Sequence, residues 1–230
     1  MNKISGSPNP KDLAAFIDHT LLKPDATRQQ IRLLCEEALE NHFFAVCVNS
    51  FHLATCVEIL RNTKVNLACV VGFPLGACET SVKAYEAARV FTLGANEIDM
   101  VLNIGALKAK EYSFVEKEIV ELVRVATGRT VKVILETSLL TQDEKITACE
   151  IAVHAGAHFV KTSTGFGGGG ATVEDVLLMK KTVGAKVMVK ASGGIKDYAT
   201  AMALIAAGAT RLGTSSGVAL VAGQNMQAGY

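Results

Sequence analysis

Short apolar runs alternate with longer amphipathic segments along most of the chain. The runs are rich in β-branched residues, which are typical of strands, and the segments between them repeat their apolar positions at helical spacing. Seven runs predict strands at 43–49, 66–73, 97–103, 130–137, 158–164, 186–192 and 211–216, and a shorter run predicts a first strand at 17–23. The intervening segments predict helices at 28–41, 53–62, 81–93, 114–127, 143–155, 173–182 and 198–207.

Glycine marks several joints between a predicted helix and the next predicted strand. Gly94, Gly156 and Gly208 each follow a helix and precede an alanine. A glycine just past a helix end accepts the left-handed conformation that stops the helix. The alternation predicts a single (β/α)8 barrel domain over residues 1–230, with a short amino-terminal extension and a mobile carboxyl-terminal tail. Alternation alone leaves a doubly wound, Rossmann-like sheet open.

Composition narrows the class of protein. Half of the residues are hydrophobic, a fifth are charged and tryptophan is absent, so the core must consist mainly of Val, Ile, Leu and Ala, as in an α/β enzyme. The formal net charge of +1 gives no electrostatic basis for binding nucleic acid. The cysteines and histidines lack the spacing of metal ligands, so we expect reduced thiols and no metal site.

The sequence also bears on where the protein acts. The amino terminus lacks the apolar run of a signal peptide, and no stretch reaches the roughly 18 uninterrupted apolar residues that a membrane span needs. We therefore expect a soluble, cytoplasmic protein that has no contact with membrane.

Two lysines carry the candidate chemistry. Lys161 and Lys190 each close an apolar strand just before a glycine-rich turn, and in a barrel such strand ends line the active-site mouth. Burial of an ammonium group, and a second ammonium nearby, both favour a neutral amine, which can form a Schiff base with a carbonyl. Asp99 lies on another predicted strand and is counted with the polar residues expected at the mouth. The alternative for all three is a structural ion-pair network.

Glycine-rich turns follow the last three predicted strands. They comprise Gly165 to Gly170, Gly193 with Gly194, and the segment from Gly213 to Ser216. Backbone N–H groups in this part of a barrel often bind phosphate, because glycine lets the anion approach closely. The turns predict a phosphate site, unless the glycines serve only tight turns.

Eight fragments, in order, carry a resemblance to a known family. They are DHTLLKP, VCVN, VVGFPLG, EIDMVLN, KVILET, KTSTGF, VKASGGI and GATRLGTSS, and they run from residue 18 to residue 216. In this set the chain resembles the deoxyribose-phosphate aldolases, which are class I aldolases. The resemblance implies reversible cleavage of 2-deoxy-D-ribose 5-phosphate to acetaldehyde and D-glyceraldehyde 3-phosphate, with neither cofactor nor metal.

The same resemblance assigns roles to individual residues. Lys161 is similar to the Schiff-base lysine, Lys190 to its neighbouring ammonium, and Asp99 to the carboxylate that moves protons with a water. Tyr230 resembles a terminal tyrosine that assists proton transfer. The residues expected to contact substrate or its phosphate are Asp18, Cys47, Thr162, Gly165, Phe166, Gly193, Gly194, Gly213, Thr214 and Ser215.

Phe166 stands where some family members have a phosphate-binding lysine, so we expect backbone groups to bind more of the phosphate. Two other functions stay open at this point. One is another phosphosugar Schiff-base barrel of the transaldolase kind, and the other is a noncatalytic phosphosugar-binding barrel. An apolar outer helix face is compatible with a homodimer.

Overall fold

Parallel strands close into a barrel within residues 10–223, the part of the chain that the computed structural model describes. The eight strands follow one another around the barrel in chain order: β1 (Ile17–Leu21), β2 (Ala45–Val48), β3 (Asn66–Val71), β4 (Glu97–Val101), β5 (Thr130–Ile134), β6 (Phe159–Lys161), β7 (Met188–Ser192) and β8 (Arg211–Thr214). Pairing of Asp18 in β1 with Gly213 in β8 closes the ring. Closure confirms the predicted (β/α)8 barrel and excludes the open, doubly wound sheet.

Helices surround the strands. In the described residues they are α1 (Arg28–Glu40), α2 (Leu53–Leu60), α3 (Thr80–Thr92), α4 (Ile104–Lys108), α5 (Tyr112–Ala126), α6 (Gln142–His154), α7 (Val173–Val183), α8 (Tyr198–Ala206) and α9 (Gly217–Val221). All seven predicted helices are present, with ends within a few residues of those predicted. The sequence did not predict α4 and α9, which are too short for an apolar period to show. It also missed the 3-10 helix Pro10–Phe16.

Side-chain caps fix where two of the helices begin. The Thr27 side chain accepts a hydrogen bond from the Gln30 N–H, and the Gln30 side chain accepts one from the Thr27 N–H, at the start of α1. Thr141 and Glu144 form the same reciprocal pair at the start of α6. Such capping boxes satisfy backbone donors that the first helical turn leaves unpaired. The sequence offers Asp25 or Thr27 as the cap of α1, and in the structure the cap is Thr27.

Successive strand residues point alternately outward to the helices and inward to the centre of the barrel, and the two faces differ in polarity. Outward-facing strand residues such as Val46, Ile98 and Val160 pack with the helices in one large apolar core. A small apolar cluster of Leu22, Cys47, Ala68 and Val70, with Phe73 against it, is separate from that core. The other inward positions are largely polar or charged, so the centre of the barrel is not an ordinary hydrophobic core.

A buried ion pair joins two of the helices to the end of β4. Lys83 in α3 and Glu118 in α5 lie 2.9 Å apart, and both side chains are fully buried. The Lys83 ammonium also donates to the Val101 carbonyl at 2.9 Å. Glu118 accepts from the Asn103 N–H at 3.2 Å. The pair therefore holds the backbone that continues from the strand carrying Asp99.

Within residues 10–223 we find no helix with the length and apolarity needed to cross a bilayer.

Candidate active site

Charged side chains fill the inside of the barrel. We call this set the interior ion cluster; in the described residues it comprises Asp18, Glu97, Asp99, Lys132, Lys161, Lys190 and Arg211. Each of these side chains is at most 8% exposed. Burying a charge is costly unless it is paired, so the contacts within the cluster determine which groups stay ionised.

Asp99 lies at the centre of the cluster. Its Oδ2 accepts from Lys161 at 2.8 Å and from Lys190 at 2.7 Å, while Oδ1 accepts from Lys132 at 2.7 Å. Burial alone would raise the pKa of Asp99, but the charges of the three lysines outweigh it and hold that pKa well below its ordinary value. Asp99 is therefore a carboxylate, and it brings the Lys161 and Lys190 amino groups together on a single oxygen.

Lys190 and Lys132 are held in their charged forms. Lys190 is bonded to Asp18 as well as to Asp99. Burial on its own would lower the pKa of Lys190, yet these two carboxylates raise it above its ordinary value. Lys132 contacts Glu97 at 2.5 Å and Asp99 at 2.7 Å. Its pKa is likewise raised, because the carboxylates, Asp99 foremost, outweigh burial.

Charge balance singles out Lys161. The cluster has four basic groups and three carboxylates, so with every group ionised it carries one excess positive charge. Lys161 has one carboxylate within ion-pair distance, whereas Lys190 and Arg211 each have two and Lys132 has three. Lys161 is therefore the basic group of the cluster with the fewest ion-pair partners among the described residues.

A cavity of about 380 Å³ opens above the cluster at the carboxyl ends of the strands. Lys161 is the member of the cluster that lines it. The other lining residues come from the ends of β1, β6, β7 and β8: Thr20, Leu21, Leu22, Lys23, Thr164, Gly165, Phe166, Ser192, Gly193, Gly194, Ile195, Lys196, Gly213, Thr214, Ser215 and Ser216. Lys161 thus faces the space in which a substrate can lie.

Most of the predicted substrate residues line this cavity. They are Gly165, Phe166, Gly193, Gly194, Gly213, Thr214 and Ser215. The three glycine-rich turns therefore meet on one side of the mouth, as the phosphate hypothesis requires. Phe166 is half exposed, and its ring packs edge-on against Phe73 at a centroid distance of 5.3 Å.

The other three predicted substrate residues do not line the cavity. Asp18 is fully buried and binds Lys190 and Arg211, so it belongs to the cluster beneath the cavity. The hydroxyl of Thr162 donates to the Ser192 carbonyl at 3.1 Å and accepts from the Ser192 N–H at 3.0 Å. Because successive strand residues point to opposite faces, Thr162 turns away from the face of Lys161 and fastens the end of β6 to β7.

Cys47 is the third. Its Sγ lies 4.0 Å from Asp99 Oδ2, and the side chain is fully buried. Burial raises the pKa of the Cys47 thiol. The group is therefore an uncharged thiol packed in the small apolar cluster. Tyr230 lies outside the described residues, and its predicted role stays a prediction.

Four functional candidates were not predicted from the sequence: Glu97, Lys132, Lys196 and Arg211. Lys196 lines the cavity together with Lys23, which stands at the end of the first predicted strand, and both bring positive charge where Phe166 brings none. Lys132, Glu97 and Arg211 complete the cluster. A signal was present for these three, because each is a charged residue on a predicted strand, and Glu97 shares the parity of Asp99 on the same strand.

Among residues 10–223 no group of three or more His, Cys, Asp or Glu side chains has an arrangement that could hold a metal ion.

Comparison with known proteins identifies the family. Residues 13–223 match the family model described as DeoC/LacD family aldolase. The chain is 57% identical to a deoxyribose-phosphate aldolase of Bdellovibrio bacteriovorus over 95% of this chain and 99% of that protein. It is 55% identical to one of Thermococcus kodakarensis, over 94% of this chain and 98% of that protein.

Solved structures agree. An aldolase named QR15 superposes with a TM-score of 0.88 at 43% identity, covering 92% of this chain and 95% of that one. A deoxyribose-phosphate aldolase from Aeropyrum pernix, described as a unique tetramer, superposes with a TM-score of 0.87 at 34% identity, covering 93% of this chain and 91% of that one. The chain belongs to the DeoC/LacD family of aldolases.

Proposed function

We propose that this protein is a class I aldolase that reversibly cleaves 2-deoxy-D-ribose 5-phosphate to acetaldehyde and D-glyceraldehyde 3-phosphate. The observation that carries the proposal is the convergence of Lys161 and Lys190 on one oxygen of Asp99 at the floor of a cavity that has a glycine-rich mouth. The names of the relatives point to the same reaction.

In the cleavage direction, the neutral amine of Lys161 attacks the C1 aldehyde of the open-chain sugar. The resulting carbinolamine loses water to give a protonated imine, which draws electrons from the bond between C2 and C3. When that bond breaks, the proton of the C3 hydroxyl leaves and D-glyceraldehyde 3-phosphate is released. Protonation of the remaining enamine at C2, followed by hydrolysis, frees acetaldehyde and the lysine. Covalent catalysis thus divides one difficult cleavage into easier steps.

Asp99 and Lys190 have distinct parts in these steps. The Asp99 carboxylate, 2.8 Å from the Lys161 nitrogen, is placed to take up a proton as the carbinolamine forms and to return it to the departing water. Lys190 keeps a positive charge beside the nitrogen of Lys161, and two positive charges so close together repel each other. The same charge stabilises the ionised form of Asp99.

The 5-phosphate fits the mouth of the cavity. Backbone N–H groups of the turns at Gly165, Gly193 and Gly213 are candidates to donate to its oxygens, and Lys23 and Lys196 supply countercharge. This arrangement makes up for the uncharged Phe166. In the proposed binding mode the phosphate lies at the mouth of the cavity and the C1 carbonyl lies at Lys161.

Product analysis tests the proposal. Purified protein and its Lys161→Met variant are incubated with 2-deoxy-D-ribose 5-phosphate, and acetaldehyde is measured with alcohol dehydrogenase and NADH. We expect turnover by the wild type and a loss of at least about 10³-fold in the variant, because removal of a covalent nucleophile removes the reaction path. Turnover of ketose donors without release of acetaldehyde would instead identify a transaldolase-like enzyme, and tight binding without turnover a noncatalytic barrel.

We also propose that the protein acts as a homodimer in the cytoplasm. Val82 and Tyr85 lie one turn apart on α3 and are 54% and 74% exposed, which is a large apolar area for one helix face. The six cysteines are unpaired, as in a reducing compartment. Light scattering of the wild type and of a Tyr85→Lys variant tests the dimer: a smaller species in the variant supports it, and a monomeric wild type contradicts it.

A further inference from the structure

Glu136 has an unusual backbone conformation next to the cavity. It follows β5 with φ at +56° and ψ at +62°, in the left-handed region that a non-glycine residue seldom adopts. Its side chain is buried, with the residue only 2% exposed. Backbone strain of this kind persists where surrounding contacts hold it, and it concentrates at functional sites.

The Glu136 carboxylate accepts hydrogen bonds from one residue of the β6–α7 loop, Thr164. It accepts a hydrogen bond from the Thr164 hydroxyl, and the Thr164 N–H lies 3.3 Å and 3.4 Å from its two oxygens. Because the Thr164 O–H points at Glu136, the hydroxyl oxygen is free to accept from the Phe166 N–H, which it does at 3.0 Å. A polar chain therefore runs from Glu136 through Thr164 to Phe166.

Three glycines of the same loop pack closely against residues around the cavity wall. A Cβ placed on Gly167 would come within 2.7 Å of Glu136 Cδ, and one on Gly169 would collide with the Ser138 side chain. A Cβ on Gly170 would lie 2.5 Å from the Gly193 carbonyl oxygen. The loop is thus seated between the 3-10 turn after β5 and the turn after β7, and the absence of side chains permits the close fit.

Thr164, Gly165 and Phe166 form one wall of the cavity, whereas Glu136 does not line it. We propose that Glu136 is a positioning residue: it fixes the wall at residues 164–167 in the form that receives the 5-phosphate of the substrate. It touches neither the reacting carbons nor Lys161, so its effect is confined to the phosphate end of the substrate. The inference rests on the proposed aldolase function.

Two substrates separate a positioning role from a merely structural one. Cleavage of 2-deoxy-D-ribose 5-phosphate and of unphosphorylated 2-deoxy-D-ribose is measured for the wild type, Glu136→Ala and Glu136→Gln. Loss of hydrogen bonds to a carboxylate should raise KM for the phosphorylated sugar about 10- to 100-fold in Glu136→Ala, with kcat changed less than about 3-fold. The rise in KM should be smaller in Glu136→Gln, because the amide keeps one acceptor oxygen. In both variants kcat/KM for unphosphorylated 2-deoxy-D-ribose should change less than about 3-fold.

Equal losses for both substrates, or no loss for either, would overturn the proposal. Where Glu136→Ala does not fold, Thr164→Val carries the same test, because it removes the hydroxyl and keeps the shape of the side chain. The same phosphate-selective loss, restored in Thr164→Ser, supports the proposal, and an unselective loss overturns it. Glu150→Gln, which changes an exposed glutamate of α6, serves as the matched control. A wild type that cleaves neither sugar would refute the aldolase function itself, a result distinct from these.

Discussion

Replacement of Lys190 by methionine tests the charge balance inside the barrel. Methionine has a similar length and no charge, so Lys190→Met leaves three basic groups and three carboxylates in the interior ion cluster. With every group ionised, the wild-type cluster carries one excess positive charge and the variant cluster carries none. We therefore expect the variant to lose the charge that promotes imine formation beside it, and with that charge its activity at neutral pH.

The size of the effect follows from the shared oxygen. The Lys161 and Lys190 nitrogens are both within 2.8 Å of Asp99 Oδ2, so they lie a few ångströms apart. Two unit charges about 4 Å apart interact by about 4 kcal/mol at an effective dielectric constant of about 20. At about 1.4 kcal/mol per tenfold change, loss of the Lys190 charge from beside the reacting nitrogen should lower kcat/KM by roughly 10²- to 10³-fold.

Steady-state kinetics with two substrates at pH 7 are the assay. The lost charge acts at the reacting end of the substrate, so Lys190→Met should lower kcat/KM for 2-deoxy-D-ribose 5-phosphate and for unphosphorylated 2-deoxy-D-ribose by similar factors. Lys196→Met is the matched control: it removes a cation that lines the cavity outside the cluster, so it should raise KM for the phosphorylated sugar and change kcat/KM for the unphosphorylated sugar less than about 3-fold. Wild-type kcat/KM in Lys190→Met, or a loss confined to the phosphorylated sugar, would refute the reasoning.

Three further predictions concern packing, burial and pH. Gly169→Ala should lose most activity toward the phosphorylated sugar, because the added methyl group collides with Ser138. Ser138→Gly in the same chain should restore the activity, and failure of this rescue would contradict the contact. Lys83→Met should lower the free energy of unfolding in urea by about 3–5 kcal/mol, because it leaves the Glu118 charge buried without its partner. The double variant Lys83→Met with Glu118→Leu should recover much of this stability. Equal losses in the single and double variants would count against a stabilising ion pair. The folded-state pKa of Asp99 lies well below 3.8, so its contribution to stability is present above that pH and is lost only as the pH falls through the lowered value. Thermal unfolding of the wild type and Asp99→Asn should therefore differ by a constant amount from pH 7 to 5, and a gap that closes in this range would refute it.

Periodicity was enough to predict the barrel, because each strand and each long helix has its own apolar pattern. It could not predict α4 and α9, since five residues give too little of a helical period. It also extended β6 to residue 164, whereas the strand ends at Lys161. The residues that follow bond to side chains such as Glu136 and to the backbone of β7, and no local pattern encodes those partners.

Part of the candidate site could likewise be predicted from the sequence, and part could not. Strand-end position predicted that Lys161 and the glycine turns face one cavity. It did not distinguish the inward face of β6 from the outward one. The structure shows the Thr162 hydroxyl bonded to the Ser192 backbone, and its contact with substrate, which the resemblance implies, stays a prediction. The excess positive charge of the cluster depends on Lys132 and Arg211, which come from strands far apart in sequence. Only the closed barrel brings them into contact with Asp99 and Asp18.

Reductive trapping tests the central claim most directly. The protein is incubated with acetaldehyde and sodium borohydride, digested, and analysed by mass spectrometry for the two-carbon addition that reduction of the imine leaves on a lysine. We expect a single stoichiometric ethyl group on Lys161, formed without phosphate and absent in Lys161→Met. An unmodified Lys161, or an ethyl group on Lys190 in its place, would contradict it.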